Sequence, residues 1–280
     1  MNIPEYIVTD EVAMAMLEQA LADMGLAPGI SAILLDGPPG CGKTFLGKHA
    51  AWRLGAELMH FTCMRGAGRE ELLLDTLPGR TGERELGILP KAMRLSQERK
   101  VVLLLDELDK AEESVDAFLL ALLQEGHLLV PQVGLFKARS DQLLVVITKN
   151  DHRDVTGPLA RRCRMVMMRW PSPEVETRIL QQQIPKLTVA ACEALIGPAW
   201  MLREHPEVRR PPSTPELIRV ARDLLRLAAA GATSLTLGEY YVRAIAPRPA
   251  DQSRIDKPSY LGLKLRPLLG ACPDKTGEKS

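Results

Sequence analysis

Along the chain, short and nearly continuous apolar runs alternate with stretches in which apolar residues recur every three or four positions. Five runs read as strands: SAILLD from Ser31, ELMHFTC from Glu57, VVLLLD from Val101, QLLVVIT from Gln142 and RMVMMRW from Arg164. Apolar character at successive positions is what a strand covered on both faces requires. Such runs separated by helical stretches predict an α/β fold over residues 1–170, a parallel five-stranded sheet sandwiched by helices. After Trp170 no strand run appears. PSPEVETRILQQQIP, TVAACEALIGPAWMLREH and STPELIRVARDLLRLAAAG read as three helices, predicting a small all-helical lid domain over 171–246. Ser213 and Glu216 have the spacing of a capping box for the third helix, and Gly231 supplies its stop. From Pro247 the chain turns polar and proline-punctuated, so 247–280 read as a polar C-terminal tail. Its apolar segment YLGLKLRPLLGA is either a strap on the helical domain or a docking element for a partner.

Composition narrows the function classes. With 280 residues, 46% of them hydrophobic, the chain can bury a substantial core. Its 36 basic and 35 acidic side chains nearly cancel, which offers no overall attraction to nucleic acid or to an anionic membrane. No apolar run approaches the roughly 20 residues of a membrane span, and no basic region precedes an apolar stretch at the start. A cytoplasmic protein without membrane insertion is expected. The cysteines, Cys41, Cys63, Cys163, Cys192 and Cys272, form no CxxC pair, so each reads as a small reduced residue.

The candidate chemistry begins at GPPGCGKT, between the first strand and an amphipathic helix. In that setting the backbone of Gly37, Pro38, Pro39, Gly40, Cys41 and Gly42 can curl round a phosphate at the helix N-terminus. Lys43 then reaches the β- and γ-phosphates of ATP, and Thr44 offers its hydroxyl to Mg²⁺. In VVLLLDELDK the buried run delivers Asp106 and Glu107 to the carboxyl end of a neighbouring strand, where α/β sheets place ligands. Asp106 reads as the second Mg²⁺ residue and Glu107 as the general base toward water, while Asp109 and Lys110 read as solvated. In QLLVVITKN, Asn150 is placed to orient the attacking water, with Thr148 as the alternative. In VTGPLARRCRMV two arginines precede the fifth strand at the sheet edge, from where one could reach a neighbouring subunit's γ-phosphate. Arg162 is preferred over Arg161.

Taken in order, these motifs resemble the AAA+ ATPase family over residues 1–246, within it the MoxR branch, and there the carbon-monoxide-dehydrogenase accessory ATPases. The likeness is carried by YIVTDEVAMAML, DELDKAEESVDAFLLALLQEG, HLLVPQVGLFKARS, ITKNDHRDVTGPLARRC and RRPPSTPELIRVARDLL. It implies a P-loop NTPase fold, ATP and Mg²⁺ as cofactors, and a homo-oligomeric ring, usually a hexamer, with ATP between subunits. It also implies that Tyr6, Ile7 and Val8 lie near the adenine, although an apolar stretch before a helix also reads as core packing. LLQEGHLLVPQVGLFKARS would be a β-hairpin, and FTCMRGAGREELLLDTLPGRTGERELGILP a glycine-rich surface loop; the family aims both at its pore or partner face. Where many members carry an SxR pattern at the third lid helix, this chain reads Ser213, Thr214, Pro215, and neither Arg210 nor Arg219 fits that place.

The function expected from these features is an ATPase that remodels or matures a protein client; the resemblance implies metalloenzyme assembly as one such task and a partner bearing a von Willebrand factor A domain. Small-molecule phosphotransfer is the first rival, but no acceptor pocket signature appears. A DNA-associated motor or loader is the second; near-zero net charge and 4% aromatic residues argue against a strand-tracking groove. A nucleotide-gated structural scaffold is the remaining alternative.

Overall fold

Parallel pairing of the predicted apolar runs organises the first of two units, Met1–Trp170 and Pro171–Ser280, into which the computed structural model divides. The structure describes residues 10–26, 28–76, 84–150, 152–255, 261, 262, 264 and 265. Tyr6, Ile7 and Val8 lie outside the described residues, as do Tyr260, Leu263 and Arg266 of the tail.

The first unit runs α1 (Glu11–Ala22), β1 (Ser31–Asp36), α2 (Lys43–Leu54), β2 (Glu57–Thr62), α3 (Arg69–Leu73), β3 (Leu74–Thr76), β4 (Arg84–Leu86) and α4 (Ile88–Leu95). It continues with β5 (Val101–Asp106), a 3₁₀ turn (Leu108–Lys110), α5 (Glu113–Glu125), β6 (His127–Val130), β7 (Gly134–Lys137), β8 (Leu143–Lys149), α6 (Gly157–Arg162) and β9 (Arg164–Met167). Five strands form one parallel sheet in the order β2-β5-β8-β1-β9. The central strands β5 and β8 are buried at every position, and β1 at all but its first. Alternate side chains serve two cores. Val102, Leu104, Leu144 and Val146 pack with Leu17 of α1 and Leu46 of α2. Leu103, Leu105, Val145 and Ile147 pack with Met93 of α4 and Leu119 of α5. This period-two division is why the runs are apolar without interruption.

Register decides where the chemistry falls. Asp36 pairs with Lys149, Leu105 with Ile147, and Thr62 with Asp106. The carboxyl ends of β1, β5 and β8 therefore finish level, and Gly37, Glu107 and Asn150 leave the sheet along one edge.

One segment differs in detail from the expectation and one follows it. The glycine-rich loop contains α3 and an antiparallel β3–β4 pair, because Leu72, Leu73 and Leu89 anchor its ends in the core. The expected hairpin forms from β6 and β7, with Leu128 facing the core and Leu129 and Leu135 paired on the exposed side.

In the second unit, α7 (Pro173–Gln183), α8 (Val189–Glu204), α9 (Thr214–Ala229) and α10 (Ser234–Ile245) are followed by the short α11 (Pro249–Gln252). The three-helix reading is corrected by α10. Gly238 and two adjacent tyrosines weaken its propensity, but Leu237, Tyr241 and Ile245 recur at helical spacing and are buried. Ser172, Thr188, Ser213 and Thr233 cap α7, α8, α9 and α10, each accepting a backbone N–H, and the capping box of Ser213 with Glu216 is present. Ile255, Leu261 and Leu265 are buried in the same helical core, the position of a strap.

One buried ion pair ties three of these helices together. Arg203 of α8 donates from Nη1 and Nη2 to the two carboxylate oxygens of Glu176 of α7, at 2.8 and 2.9 Å. Thr214 Oγ1 of α9 donates to Glu176 Oε1 at 2.7 Å, and Arg203 Nε to the Pro212 carbonyl at 2.8 Å. Both side chains are sealed from solvent. Glu176→Ala would strand the guanidinium, so a destabilisation of about 3–5 kcal/mol is expected in urea unfolding of the full chain, with Glu176→Gln costing less.

Candidate nucleotide-binding site

The loop from β1 to α2 is built on left-handed backbone that only glycine adopts freely. Gly42 has φ 107° as the residue preceding α2. Gly37 has φ 152°, and a Cβ there would stand 2.4 Å from the Met168 carbonyl oxygen, so the chain must leave β1 without a side chain. Lys43, the first residue of α2, is buried and folds back over the loop. Its Nζ donates to the carbonyls of Gly37 at 2.5 Å and Pro38 at 3.0 Å, and to Asn150 Oδ1 at 2.8 Å. Desolvation holds the lysine pKa below its ordinary value, against the pull of Cys41, Asp36, Asp109 and Asp106. Its nearest hydrogen-bond acceptors are neutral oxygens, with Cys41 Sγ at 4.0 Å, and a phosphate would supply the anion that this desolvated ammonium favours.

Asp106, at the end of β5, accepts from Thr44 Oγ1 at 3.0 and 3.1 Å and from Thr148 Oγ1 at 2.6 Å. His60 Nε2 lies 3.4 Å from its other oxygen. The hydroxyl and carboxylate of Thr44 and Asp106 are hard oxygen donors of the kind Mg²⁺ takes in pairs, leaving its remaining positions to water and phosphate. Among the described residues no cluster of three or more His, Cys, Asp or Glu could hold a metal. The pair therefore fits an ion that arrives with a nucleotide.

Glu107 has left-handed backbone, φ 58° and ψ 45°, unusual for a residue other than glycine. Its N–H is fixed by donation to Thr148 Oγ1 at 2.9 Å. Its carboxylate accepts from Lys110 Nζ at 2.5 Å and from Asn150 Nδ2 at 3.3 Å. Asn150 thus bridges Lys43 and Glu107, with its amide orientation set by a cation on one side and a carboxylate on the other. Thr148, the alternative to Asn150 in the sequence, is buried and serves Asp106 and the Glu107 backbone instead.

The reading of Asp109 as solvated is corrected, whereas Lys110 keeps a solvent-facing side chain. Asp109 is buried and accepts the His152 N–H at 3.0 Å, while Lys110 is paired with Glu107. The two arginines of α6 also part company. Arg162 Nη2 donates to the carbonyls of Pro28 at 3.0 Å, Ile30 at 3.2 Å and Leu123 at 2.8 Å, all in its own chain. Arg161 is exposed and has no hydrogen-bond or ion-pair partner among the described residues. The preference for Arg162 therefore meets a physical obstacle, because its Nη2 is held by three carbonyls of its own chain.

Sequence reasoning missed two ion pairs. Lys149 and Asp36 meet at 3.0 Å between the ends of β8 and β1, both nearly buried. Arg153 and Asp116 meet at 2.7 Å behind the loop that carries Asn150. A signal of burial was available for Asp36, Lys149 and Asp116, each a charged residue inside or beside an otherwise apolar run, but not for Arg153 in the polar stretch KNDHRDV. The cysteines among the described residues, Cys41, Cys63, Cys163 and Cys192, are buried and free. Burial pushes Cys63 and Cys163 up to about 12, which keeps both thiols protonated at neutral pH.

Comparison with known proteins bears on the family and the fold. Residues 32–163 match the AAA domain, dynein-related subfamily. This segment is an AAA+ ATPase domain. Over 253 residues the chain is 30% identical to chaperone protein ClpB 2 of Parasynechococcus marenigrum, covering 86% of this chain and 25% of that protein. It is 31% identical over 186 residues to ATPase family gene 2 protein homolog B of Homo sapiens, covering 62% and 22%. Against the mitochondrial Lon protease homolog of Yarrowia lipolytica it is 28% identical over 170 residues, covering 54% and 13%. The chain thus spans a quarter or less of the length of these relatives. A RuvB mutant structure from Thermotoga maritima has the same fold, with a TM-score of 0.55 at 16% identity, over 90% of this chain and 74% of that one. No helix among the described residues is long and apolar enough to cross a membrane.

Lys43→Ala removes the cation from the AAA+ loop while leaving Gly37 and Gly42 in place. ATP binding, measured by titration with a fluorescent analogue, is expected to weaken by at least about 10²-fold, corresponding to about 3 kcal/mol of charge-assisted hydrogen bonding. Binding equal to the parent's would refute the phosphate cradle.

Proposed function

We propose that this chain hydrolyses ATP in a homo-oligomeric ring, hexameric and of MoxR type, and uses the hydrolysis to remodel or mature a protein client. The observation that carries the hydrolytic reading is Asn150, whose amide links Lys43 to Glu107 across the edge of the sheet. Lys43 binds the β- and γ-phosphates, and the loop from Gly37 to Gly42 surrounds them. Thr44 and Asp106 would hold Mg²⁺, which when bound neutralises phosphate charge. A phosphate competing for Lys43 releases the Asn150 amide to orient water. Glu107 takes the proton from that water as its oxygen bonds to the γ-phosphorus; the bond to the β-phosphate oxygen breaks, leaving ADP and phosphate. Arg161, exposed and unpaired among the described residues, is the arginine offered to the γ-phosphate of a neighbouring subunit, and Arg162 fastens the helix that presents it.

A protein client is favoured over nucleic acid by the β6–β7 hairpin. Its outer side exposes Leu129, Val133 and Leu135, an apolar surface suited to polypeptide rather than to a phosphate backbone. The MoxR assignment, the carbon-monoxide-dehydrogenase accessory branch and the von Willebrand factor A partner rest on the resemblance carried by the ordered motifs.

Glu107→Gln keeps the phosphate and metal contacts but loses the base. It should bind ATP and turn over at least about 10²-fold more slowly; near-normal turnover would assign the proton to another group. Arg161→Ala should bind ATP yet fail to hydrolyse it, and mixing it with Glu107→Gln subunits should restore activity, because the base and the arginine of each site then come from different chains. A mixture inactive at every ratio would refute the trans arrangement. The Glu107→Gln ring, loaded with ATP, should retain a protein carrying a von Willebrand factor A domain or its metalloenzyme client from native lysate; recovery of DNA alone would favour the motor reading.

A further inference from the structure

Asp116 lies on the first turns of α5, fully buried, and its carboxylate takes three donors from the segment that follows Asn150. Arg153 donates from Nη1 to Oδ2 at 3.0 Å and from Nη2 to Oδ1 at 2.7 Å. The backbone N–H of Thr156, the residue that precedes α6, donates to Oδ2 at 2.8 Å. Arg153 also donates to the carbonyls of Ala111 at 3.0 Å and Asp154 at 2.9 Å, so its guanidinium is held on several sides. At the far end of the same short helix, Arg162 is fastened to the Leu123 carbonyl of α5. Helix α6 is thus clamped to α5 at both ends, and Arg161 projects from the clamped segment. Asn150, by contrast, is restrained by Lys43 and Glu107 and makes no hydrogen bond to this pair among the described residues.

We propose that Asp116, acting through Arg153 and the Thr156 N–H, is a positioning residue that aims Arg161 at the neighbouring subunit's nucleotide. This rests on the reading of Arg161 as a trans-acting arginine. Its specific content is that Asp116 serves the site of the adjacent chain and not the site of its own. Two carboxylate oxygens receiving three donors set both the place and the direction of the α6 start, and an arginine displaced by about 1 Å can lose about 10²-fold in rate.

The test is hydrolysis by mixed rings of the full-length chain. Asp116→Asn keeps the shape but loses the charge and one acceptor. The double variant Asp116→Asn with Arg153→Gln leaves no uncompensated buried charge and guards against misfolding. Each is expected to bind ATP within about threefold of the parent and to lose about 10²-fold in kcat with KM little changed. Mixed with Glu107→Gln subunits, each should regain hydrolysis, since its intact base is then completed by a correctly aimed Arg161 from the neighbour. A parallel mixture of Arg161→Ala with Glu107→Gln separates the two readings. If that control recovers and the Asp116 mixtures do not, Asp116 acts within its own site and the inference is overturned while the trans arginine stands. Failure of the control overturns both. Parent-level turnover by either Asp116 variant, or failure of both to fold, would make the pair a stability element alone and overturn the inference as well.

Discussion

Asp106 is a carboxylate placed at the end of a strand buried along its whole length, and it is tolerated there because Thr44 and Thr148 each direct a hydroxyl at it. Those donors come from different elements, α2 and β8, so the same carboxylate holds both against the end of β5. The second duty of Thr148, accepting the Glu107 N–H, keeps the next residue in left-handed backbone. Remove that acceptor and the Glu107 N–H, at the end of a fully buried strand, loses its partner. The Lys149–Asp36 pair repeats the arrangement one strand away, joining β8 to β1 where Gly37 begins.

Around this anchor the charged groups form a chain: Lys43, Asn150, Glu107 and Lys110 are linked in sequence by hydrogen bonds of 2.8, 3.3 and 2.5 Å. Each link is to a group that would also interact with a nucleotide or with water during hydrolysis. In the proposed mechanism, binding at Lys43 and reactivity at Glu107 would be coupled through a single amide. A desolvated ammonium among neutral acceptors, and a carboxylate drawn toward a neighbouring lysine, are both arrangements that an arriving phosphate can rearrange without disturbing the sheet.

The two arginines of α6 show how adjacent, chemically identical residues acquire different tasks. One turns into its own chain and satisfies three carbonyls, including one at the end of α5; the other stays exposed. Clamping at the start by Asp116 and at the end by Arg162 converts a six-residue helix, too short to be stable alone, into a fixed support.

The strands, the phosphate loop, the capping box of α9 and the positions of Lys43, Thr44, Asp106, Glu107 and Asn150 were legible in the sequence because each depends on local pattern: period, glycine spacing, or a polar residue at the end of an apolar run. The fourth helix of the second unit was not, since Gly238, Tyr240 and Tyr241 are weak helix formers and burial of Leu237, Tyr241 and Ile245 outweighs that. Nor were the partners. Whether Arg161 or Arg162 faces outward, whether Asp109 is solvated, and that Asp116 should meet Arg153 or Asp36 meet Lys149 depend on how separate strands and helices are set against one another. A sequence carries the charge of each residue, but its interaction energy depends on distance and burial, which exist only once the sheet's register has brought those residues together.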